Sequence, residues 1–309
     1  MLIGLFYILV PLFLIGIIAL KRQPNILIWI FTVLSFGLVL VYLWATVRWE
    51  IVGIYLRPIF VVLYVIACVL SFRRINKPGT PPKKKVMVFS IGLHLVLIVF
   101  FSGMNWFSFK GYIPPENGID LLSPFRNGKQ IVLHGGASPF TNGHFHVKPQ
   151  NYALDIVGLN NLGMRSSSFA GGANLDNYVI YGEPIYSPCN GIVSIVVDSY
   201  DDQNPPQTDI EHLAGNHILI ESEGVEILLA HLKKGSVLVK EGDSVTTNSI
   251  VGQVGNTGNT SEPHLHMHVE LGGKPKTILN GKAVPFTINN QFLVRGDIIK
   301  SIKNDATNH

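Results

Sequence analysis

The chain has 309 residues with 24 Lys/Arg and 20 Asp/Glu, long enough for two domains, and its two cysteines are too few for a disulfide framework. The basic excess belongs to residues 1–110, which contain 11 basic residues and one acid, Glu50. Residues 111–309 contain 13 basic and 19 acidic residues, and this acidic balance argues against nucleic acid as a partner.

Four long apolar runs fill the first third of the chain. Each is about long enough to cross a hydrocarbon core of ~30 Å as a helix, and together they hold hardly any charge. The runs are residues 1–20, 26–47, 51–72 and 86–107. Lys21 and Arg22 follow the first run instead of preceding it, which argues against a cleavable signal peptide. We therefore predict a four-helix transmembrane anchor over residues 1–110, with the lipid bilayer as its partner; buried core helices are the alternative.

The charges between the apolar runs predict the orientation of this anchor. Six Lys/Arg lie in RRINKPGTPPKKK, residues 73–85, and two lie between the first and second runs. The positive-inside rule places both loops in the cytoplasm. With four spans, the N-terminus and everything after residue 110 are then expected outside. Arg57 lies inside the third run and is expected to reach the outer interface.

From residue 111, short β-rich runs alternate with Gly, Pro, Asn and Asp, a pattern typical of an antiparallel all-β domain. One hairpin is predicted with Glu223-Gly224 at its turn. We expect a linker at 111–130, the β domain at 131–300 and a tail at 301–309. Long loops at 165–177 and 198–211 are expected to line a binding site. The second is rich in acids, so that a calcium site and a solvated loop are both open.

The stretch SEPHLHMHVE contains three histidines at alternate positions. On a β-strand, His264, His266 and His268 would share one face, while Leu265 and Met267 would share the other. A row of imidazoles on one face suits a metal ion. The alternative is a surface strand that is rich in histidine.

Other candidate ligands lie upstream. Asp155 interrupts the apolar run Tyr-Ala-Leu-Asp-Ile-Val, where a carboxylate is costly to bury unless it is paired or binds a cation; an edge-strand acid in solvent is the alternative. His144 and His146 precede it by a short loop, and His231 follows an apolar strand. No role is assigned to the remaining histidines of this region: His134, His212, His217 and His309.

The run AHLKKGSVLVKEGDSVTTNSIVGQVGNTGNTSEPHLHMHVE resembles the core of the LytM/lysostaphin-type zinc metallopeptidases. An Ala-His-Leu strand, a Gly-Asp-x-Val turn, a G-x-T-G-x-[ST] loop and a Pro-His-Leu-His strand follow one another in the order of that family. NYALDIV is similar to the family's upstream strand, which bears an Asp ligand. The resemblance covers roughly residues 130–300 and implies a LytM-type, duplicated-hybrid-motif-like β domain.

The resemblance also implies roles for individual residues around one zinc ion per domain. These are His144, Asp155 and His266 as zinc ligands, and His231 and His264 as non-ligand catalytic histidines. The compact His-x-x-x-Asp spacing of many family members is absent, and His146 is the rival for the first ligand. Such a site would lower the pKa of zinc-bound water toward ~7, while the two histidines stabilise the oxyanion and protonate the leaving amine.

The implied function is that of a membrane-anchored zinc metalloendopeptidase, which hydrolyses peptide bonds in the stems or cross-bridges of bacterial peptidoglycan. The implied location is the bacterial cell membrane, multi-pass, with the catalytic domain extracytoplasmic. An alternative is a non-catalytic LytM-type regulator that activates other cell-wall hydrolases. A four-span transporter or sensor with a ligand-binding outer domain is another. The bond that is cut, and any membrane partner, stay open.

Overall fold

The structure, a computed structural model, describes residues 2–75, 84–168, 171–274 and 277–299. The chain divides into two compact units, Met1–Phe109 and Lys110–His309. The predicted tail and residues 76–83 of the basic loop lie outside the described residues.

The first unit is helical. Its helices are α1 (Leu2–Leu20), α2 (Ile26–Thr46), α3 (Leu56–Phe72) and α4 (Lys84–Lys110). Asn25 caps α2, because its side chain accepts a hydrogen bond from the Ile28 N–H. A short 3-10 helix, Trp49–Ile51, precedes α3. Since α3 begins at Leu56, Arg57 lies in its first turn. The Arg57 guanidinium donates to the Trp44 carbonyl at 3.1 Å.

Two helices of the described chain, α2 and α4, are long and apolar enough to cross a membrane. The apolar stretches of α1 and α3, Gly4–Leu20 and Leu56–Phe72, are shorter. All four helices leave large apolar side chains exposed, among them Phe13, Leu34, Val62 and Phe89. The expectation of four spans remains a prediction.

Polar side chains join α4 to α2, which the apolar runs did not indicate. His94 of α4 lies 3.1 Å from the Thr32 hydroxyl and 2.8 Å from the Ser35 hydroxyl, and all three residues are buried. Asn105 of α4 donates to the Leu38 carbonyl at 2.9 Å. Since a buried polar group without a partner is costly, these bonds favour one packing of α4 against α2.

The second unit is built from β-strands. They are β1 (Ile119–Leu121), β2 (Lys129–His134), β3 (Leu154–Leu159), β4 (Pro184–Tyr186), β5 (Gly191–Val197), β6 (His217–Ser222), β7 (Val225–Ala230), β8 (Ser244–Val245), β9 (Ile250–Gln253), β10 (Leu265–Leu271), β11 (Lys282–Ala283), β12 (Phe286–Ile288) and β13 (Ile298–Ile299). The main sheet has the order β13-β2-β3-β10-β7-β6-β5-β8, and β11 pairs with β10. Its pairings are antiparallel, as predicted.

The segment 111–130 differs from the linker expected there. It contains β1, which pairs with β12 in parallel. Leu121 and Phe125 are buried in the hydrophobic core of the second unit. The segment packs as part of the β unit because β1 pairs with β12. Sequence patterns do not reveal this pairing, since the partner strand lies far along the chain.

The core positions the strands that carry the candidate site. Leu265, Met267 and Val269 of β10 all point to the hydrophobic core, as the alternation predicts, and are at most 1% exposed. Burying each such side chain contributes about 1.5–3 kcal/mol. The resulting register of β10 pairs His266 with Asp155 of β3 on one side and with Ala230 of β7 on the other.

The β6–β7 hairpin has its turn at Glu223-Gly224, as predicted, with φ of 49° and 82° at these residues. We expect Gly224→Ala to lower the free energy of unfolding by about 1 kcal/mol, because a Cβ is disfavoured at positive φ. Glu223→Asn should raise it by a few tenths of a kcal/mol, since Asn-Gly suits this turn. Thermal unfolding of the full chain in detergent, followed by the β-sheet circular dichroism signal, measures both. Equal midpoints for wild type and Gly224→Ala would contradict the expectation.

Candidate metal centre and active site

Three predicted ligands come together where β3 and β10 pair. His266 Nδ1 lies 2.8 Å from Asp155 Oδ1, and His144 Nε2 lies 2.9 Å from Asp155 Oδ2. One ligand atom from each residue can be chosen so that all lie within 4.8 Å of one another. His146, the rival for the first position, is exposed and outside this group. Two imidazole nitrogens and one carboxylate oxygen fit the donor set of a catalytic zinc ion, which has three protein ligands.

The electrostatics of the centre favour positive charge beside Asp155. Burial opposes the charge of this carboxylate, which is 4% exposed, but His144 and His264 hold its pKa well below the usual range. Burial also opposes the charge of His144, but Asp155 outweighs it and raises the pKa of that imidazole. Burial lowers the pKa of His266 to about 3, which keeps its imidazole neutral and able to bind a metal.

The two predicted catalytic histidines lie beside the ligand group. His231 Nδ1 donates to the Thr257 carbonyl at 2.8 Å, and His264 Nδ1 donates to the Glu262 carbonyl at 2.8 Å. Because a carbonyl oxygen only accepts, both neutral rings carry their proton on Nδ1 and leave Nε2 as an acceptor. The ring centroids of the pair are 4.8 Å apart, and His264 Nε2 lies 3.5 Å from Asp155 Oδ1.

The backbone at His231 is in an uncommon conformation. This residue follows the end of β7 and has φ of 64°, in the left-handed region that costs a non-glycine residue about 1–3 kcal/mol. Its N–H donates to the Ala214 carbonyl, and its carbonyl accepts from the Gly255 N–H. These bonds hold the strained residue in place, as is common at functional sites.

Asn256 and Thr257 are fully buried, and their hydrogen bonds support the site. Thr257 Oγ1 donates to the Leu232 carbonyl at 2.9 Å and accepts from the Asn216 N–H. The carbonyl of Thr257 accepts from His231. The loop before β10 therefore fixes the orientation of one candidate catalytic ring.

The acidic loop at 198–211 is held by its own carboxylates. Asp198 accepts from the Gly235 N–H at 2.8 Å, and Asp202 accepts from the N–H groups of Asn256 and Lys234. Burial raises the pKa of Asp202. These carboxylate oxygens are already engaged by backbone donors, which argues against the calcium site considered from the sequence.

Residues without a predicted role also approach the centre. The ring of His134 lies 5.8 Å from that of His144, and its Nδ1 accepts from the Gly143 N–H at 2.9 Å. Arg165 and Glu262 form a buried ion pair at 2.6 Å, next to the loop that precedes His264. No sequence pattern indicated these contacts, since each joins separate segments of the chain.

Two other histidines lie outside the ligand group. His212 pairs with Asp209 at 2.8 Å near the surface. His217 donates from Nδ1 to the Gly215 carbonyl at 2.7 Å, and burial lowers its pKa. His309 lies outside the described residues.

Residues 172–278 match the model of Peptidase family M23. The matched segment includes His231, His264 and His266, and it begins downstream of His144 and Asp155. This supports an M23-type β domain in the second unit.

Individual proteins are similar to parts of the chain. Peptidoglycan DD-endopeptidase ShyA of Vibrio cholerae is 31% identical over 94 residues, which are 30% of this chain and 19% of ShyA. A zinc-containing peptidase from Vibrio cholerae is 26% identical, with 35% of this chain and 27% of that chain covered and a TM-score of 0.25. The catalytic domain of the prophage-encoded M23 protein EnpA from Enterococcus faecalis is 21% identical, with 53% and 93% covered and a TM-score of 0.33. The chain thus spans about a fifth of the length of ShyA.

Proposed function

We propose that the chain is a membrane-anchored zinc metalloendopeptidase that hydrolyses peptide bonds in the stems or cross-bridges of bacterial peptidoglycan. The observation that carries this proposal is the convergence of two imidazoles and a carboxylate, with two further imidazoles beside them. The match to Peptidase family M23 supports the reaction class. The similarity to ShyA, whose name describes a peptidoglycan endopeptidase, supports the substrate class.

His144, Asp155 and His266 would hold the zinc ion. When bound, zinc supplies a Lewis acid that polarises the scissile carbonyl and makes water acidic enough to attack near neutral pH. The buried carboxylate contributes one negative charge, and the two imidazoles bind as neutral ligands. The site would therefore keep a net positive charge toward the substrate.

His231 and His264 would handle the protons of the reaction. Each ring is oriented by a backbone carbonyl at Nδ1, so that proton exchange takes place at Nε2. One ring can accept the proton of the attacking water, and a protonated ring can donate to the tetrahedral oxyanion or to the leaving amine. Two imidazoles can divide these tasks because hydrolysis of a peptide bond needs both a base for the water and an acid for the leaving amine.

The helical unit would anchor the enzyme in the bacterial cell membrane. The apolar side chains exposed on α1 to α4 favour contact with lipid, including on the two shorter helices. The basic residues between the helices favour a cytoplasmic position for those loops, which places the β unit outside, where it would meet the cell wall.

Peptidoglycan digestion tests this function. The full chain, purified in detergent and loaded with zinc, is incubated with sacculi of several cross-link types, and the fragments are identified by mass spectrometry. We expect new peptide termini that are absent with His266→Ala, and they would identify the bond. If a folded, zinc-bound chain releases nothing but stimulates another wall hydrolase, the enzyme proposal fails and the regulator takes its place.

A further inference from the structure

A line of buried polar groups continues from the metal centre along one face of β10. His266 Nε2 lies 2.9 Å from His268 Nδ1, and His268 Nε2 lies 2.7 Å from Glu270 Oε1. His268 and Glu270 are each 1% exposed. Because strand residues two apart share a face, the three side chains form a row that ends at Asp155, 2.8 Å from His266 Nδ1.

Glu270 is fixed as an acceptor at the far end of this row. Its Oε1 accepts from the Leu279 N–H at 2.9 Å, and its Oε2 accepts from the N–H groups of Asn280 and Gly281 at 3.1 and 2.7 Å. Burial opposes the charge of Glu270, but the bonds from His268 and these backbone groups outweigh it and hold its pKa below the usual value. Backbone N–H groups can only donate, so they favour a carboxylate at Glu270 that accepts. A protonated Glu270 that donates toward them is disfavoured.

The acceptor at Glu270 determines where the protons lie along the row. His268 must donate Nε2–H to Glu270, and its neutral ring therefore has a bare Nδ1. A bare Nδ1 on His268 requires a donor from His266, which places the His266 proton on Nε2. The Nδ1 lone pair of His266 then faces Asp155 Oδ1 at 2.8 Å. Two acceptors at this distance repel each other, and a metal ion bound by both atoms would relieve that repulsion.

We propose that Glu270 and His268 are positioning residues that select the tautomer of His266 and keep its Nδ1 free to bind the metal ion. This inference rests on the proposed function, since it takes His266 as a zinc ligand. The Glu270 carboxylate does not contact the metal centre. It acts through His268, which hydrogen-bonds to both Glu270 and His266. Neither residue contacts the reacting atoms.

Glu270→Gln tests the direction of the hydrogen bonds along the row, with little change in the shape of the side chain. With its oxygen toward Asn280 and Gly281, the amide would turn its NH₂ toward His268 Nε2 and lose the hydrogen bond from the Leu279 N–H. His268 would then carry its proton on Nδ1, and His266 would be left with its proton on Nδ1, where the metal should bind. We expect the zinc Kd of the full chain in detergent to rise about 10- to 100-fold.

A pair of variants at His268 separates proton placement from packing. The amide of His268→Gln can accept from His266 and donate to Glu270, so zinc affinity should stay within a few-fold of wild type. His268→Met fills a similar volume but offers no such pair of groups, and it should weaken zinc binding about as much as Glu270→Gln does. The matched control is Glu226→Gln, which lies opposite Glu270 on β7 and outside the row, and it should leave zinc affinity unchanged.

Two measurements read out these variants without reference to cleavage. Competition with a chromophoric chelator gives the zinc Kd, and the ¹⁵N shifts of histidine-labelled, metal-free chain give the tautomer of His266. An Nε2–H tautomer in wild type that is lost in Glu270→Gln supports the proposal. An Nδ1–H tautomer in wild type overturns it, as does equal zinc affinity in wild type, Glu270→Gln and His268→Met.

These readouts also separate this inference from the proposed function. If Glu270→Gln does not fold, the contrast between His268→Gln and His268→Met decides the matter, because both keep the carboxylate. A wild-type chain that binds zinc and shows the expected tautomer, but cuts no peptidoglycan, would refute the enzyme and leave the role of Glu270 and His268 standing.

Discussion

Asp155→Asn is expected to remove most of the zinc affinity of the chain and to lower the rate of peptidoglycan cleavage about a thousandfold, or about 4 kcal/mol of barrier. Asn has the same shape but no charge, and Asp155 is the carboxylate that both His144 and His266 contact. The variant would leave only neutral ligands for a divalent ion in a buried site, where an uncompensated charge is costly.

Zinc-dependent stabilisation provides the second readout for this variant. A ligand that binds only the folded state at a thousandfold excess over its Kd stabilises by about 4 kcal/mol, so zinc should raise the thermal midpoint of the wild-type β unit. It should not raise that of Asp155→Asn. The matched control is Asp209→Asn, in which another Asp–His pair at 2.8 Å is broken near the surface, and this variant should respond to zinc as wild type does. Undiminished zinc binding by Asp155→Asn would remove Asp155 from the ligand set.

Alternation along one strand predicts much of the arrangement of the candidate site. A period of two in HLHMH places the histidines on one face and Leu265 and Met267 in the core, and the structure has both. The same period continues to Glu270, so the sequence already held the signal for the row described above. That signal does not single out Glu270, because a glutamate after a histidine-rich run also suits a solvent-facing position.

The choice between His144 and His146 depends on loop conformation, which periodicity does not describe. Asn142 and Asn151 hold the segment between β2 and β3 by bonds to nearby backbone carbonyls, and this folding turns His144 toward Asp155. The segment contains no β-strand or α-helix. A preference for His144 could therefore come only from resemblance to a family.

Pairing between distant segments could not be predicted from the sequence either, because it depends on non-local contacts. β1 reads as part of a polar linker, and its partner β12 lies near the other end of the β unit. The acids of the loop at 198–211 left a calcium site and a solvated loop open, but Asp202 accepts hydrogen bonds from the N–H groups of Asn256 and Lys234. In both cases the decisive contacts are non-local, and local propensity carries no information about them.

His231→Asn is expected to lower kcat for peptidoglycan cleavage about 10²- to 10⁴-fold while leaving the zinc Kd unchanged. The reason is that His231 contacts none of the three ligand side chains by a hydrogen bond, but its ring lies 4.8 Å from His264 and 5.8 Å from His266. Asn is chosen because it tolerates the left-handed backbone at φ of 64°, whereas Ala would add a folding cost of about 1 kcal/mol.

The matched control for this variant is His217→Asn. His217 is also a buried histidine that donates from Nδ1 to a backbone carbonyl, and it lies on the neighbouring strand, opposite Ala230. It should keep wild-type kcat, because it is not part of the group around Asp155. If His231→Asn instead loses zinc, then His231 is a ligand and the assignment of His144 must be reopened. If it cleaves at the wild-type rate, proton transfer must be carried by His264 without its neighbour, and the two-histidine mechanism is wrong.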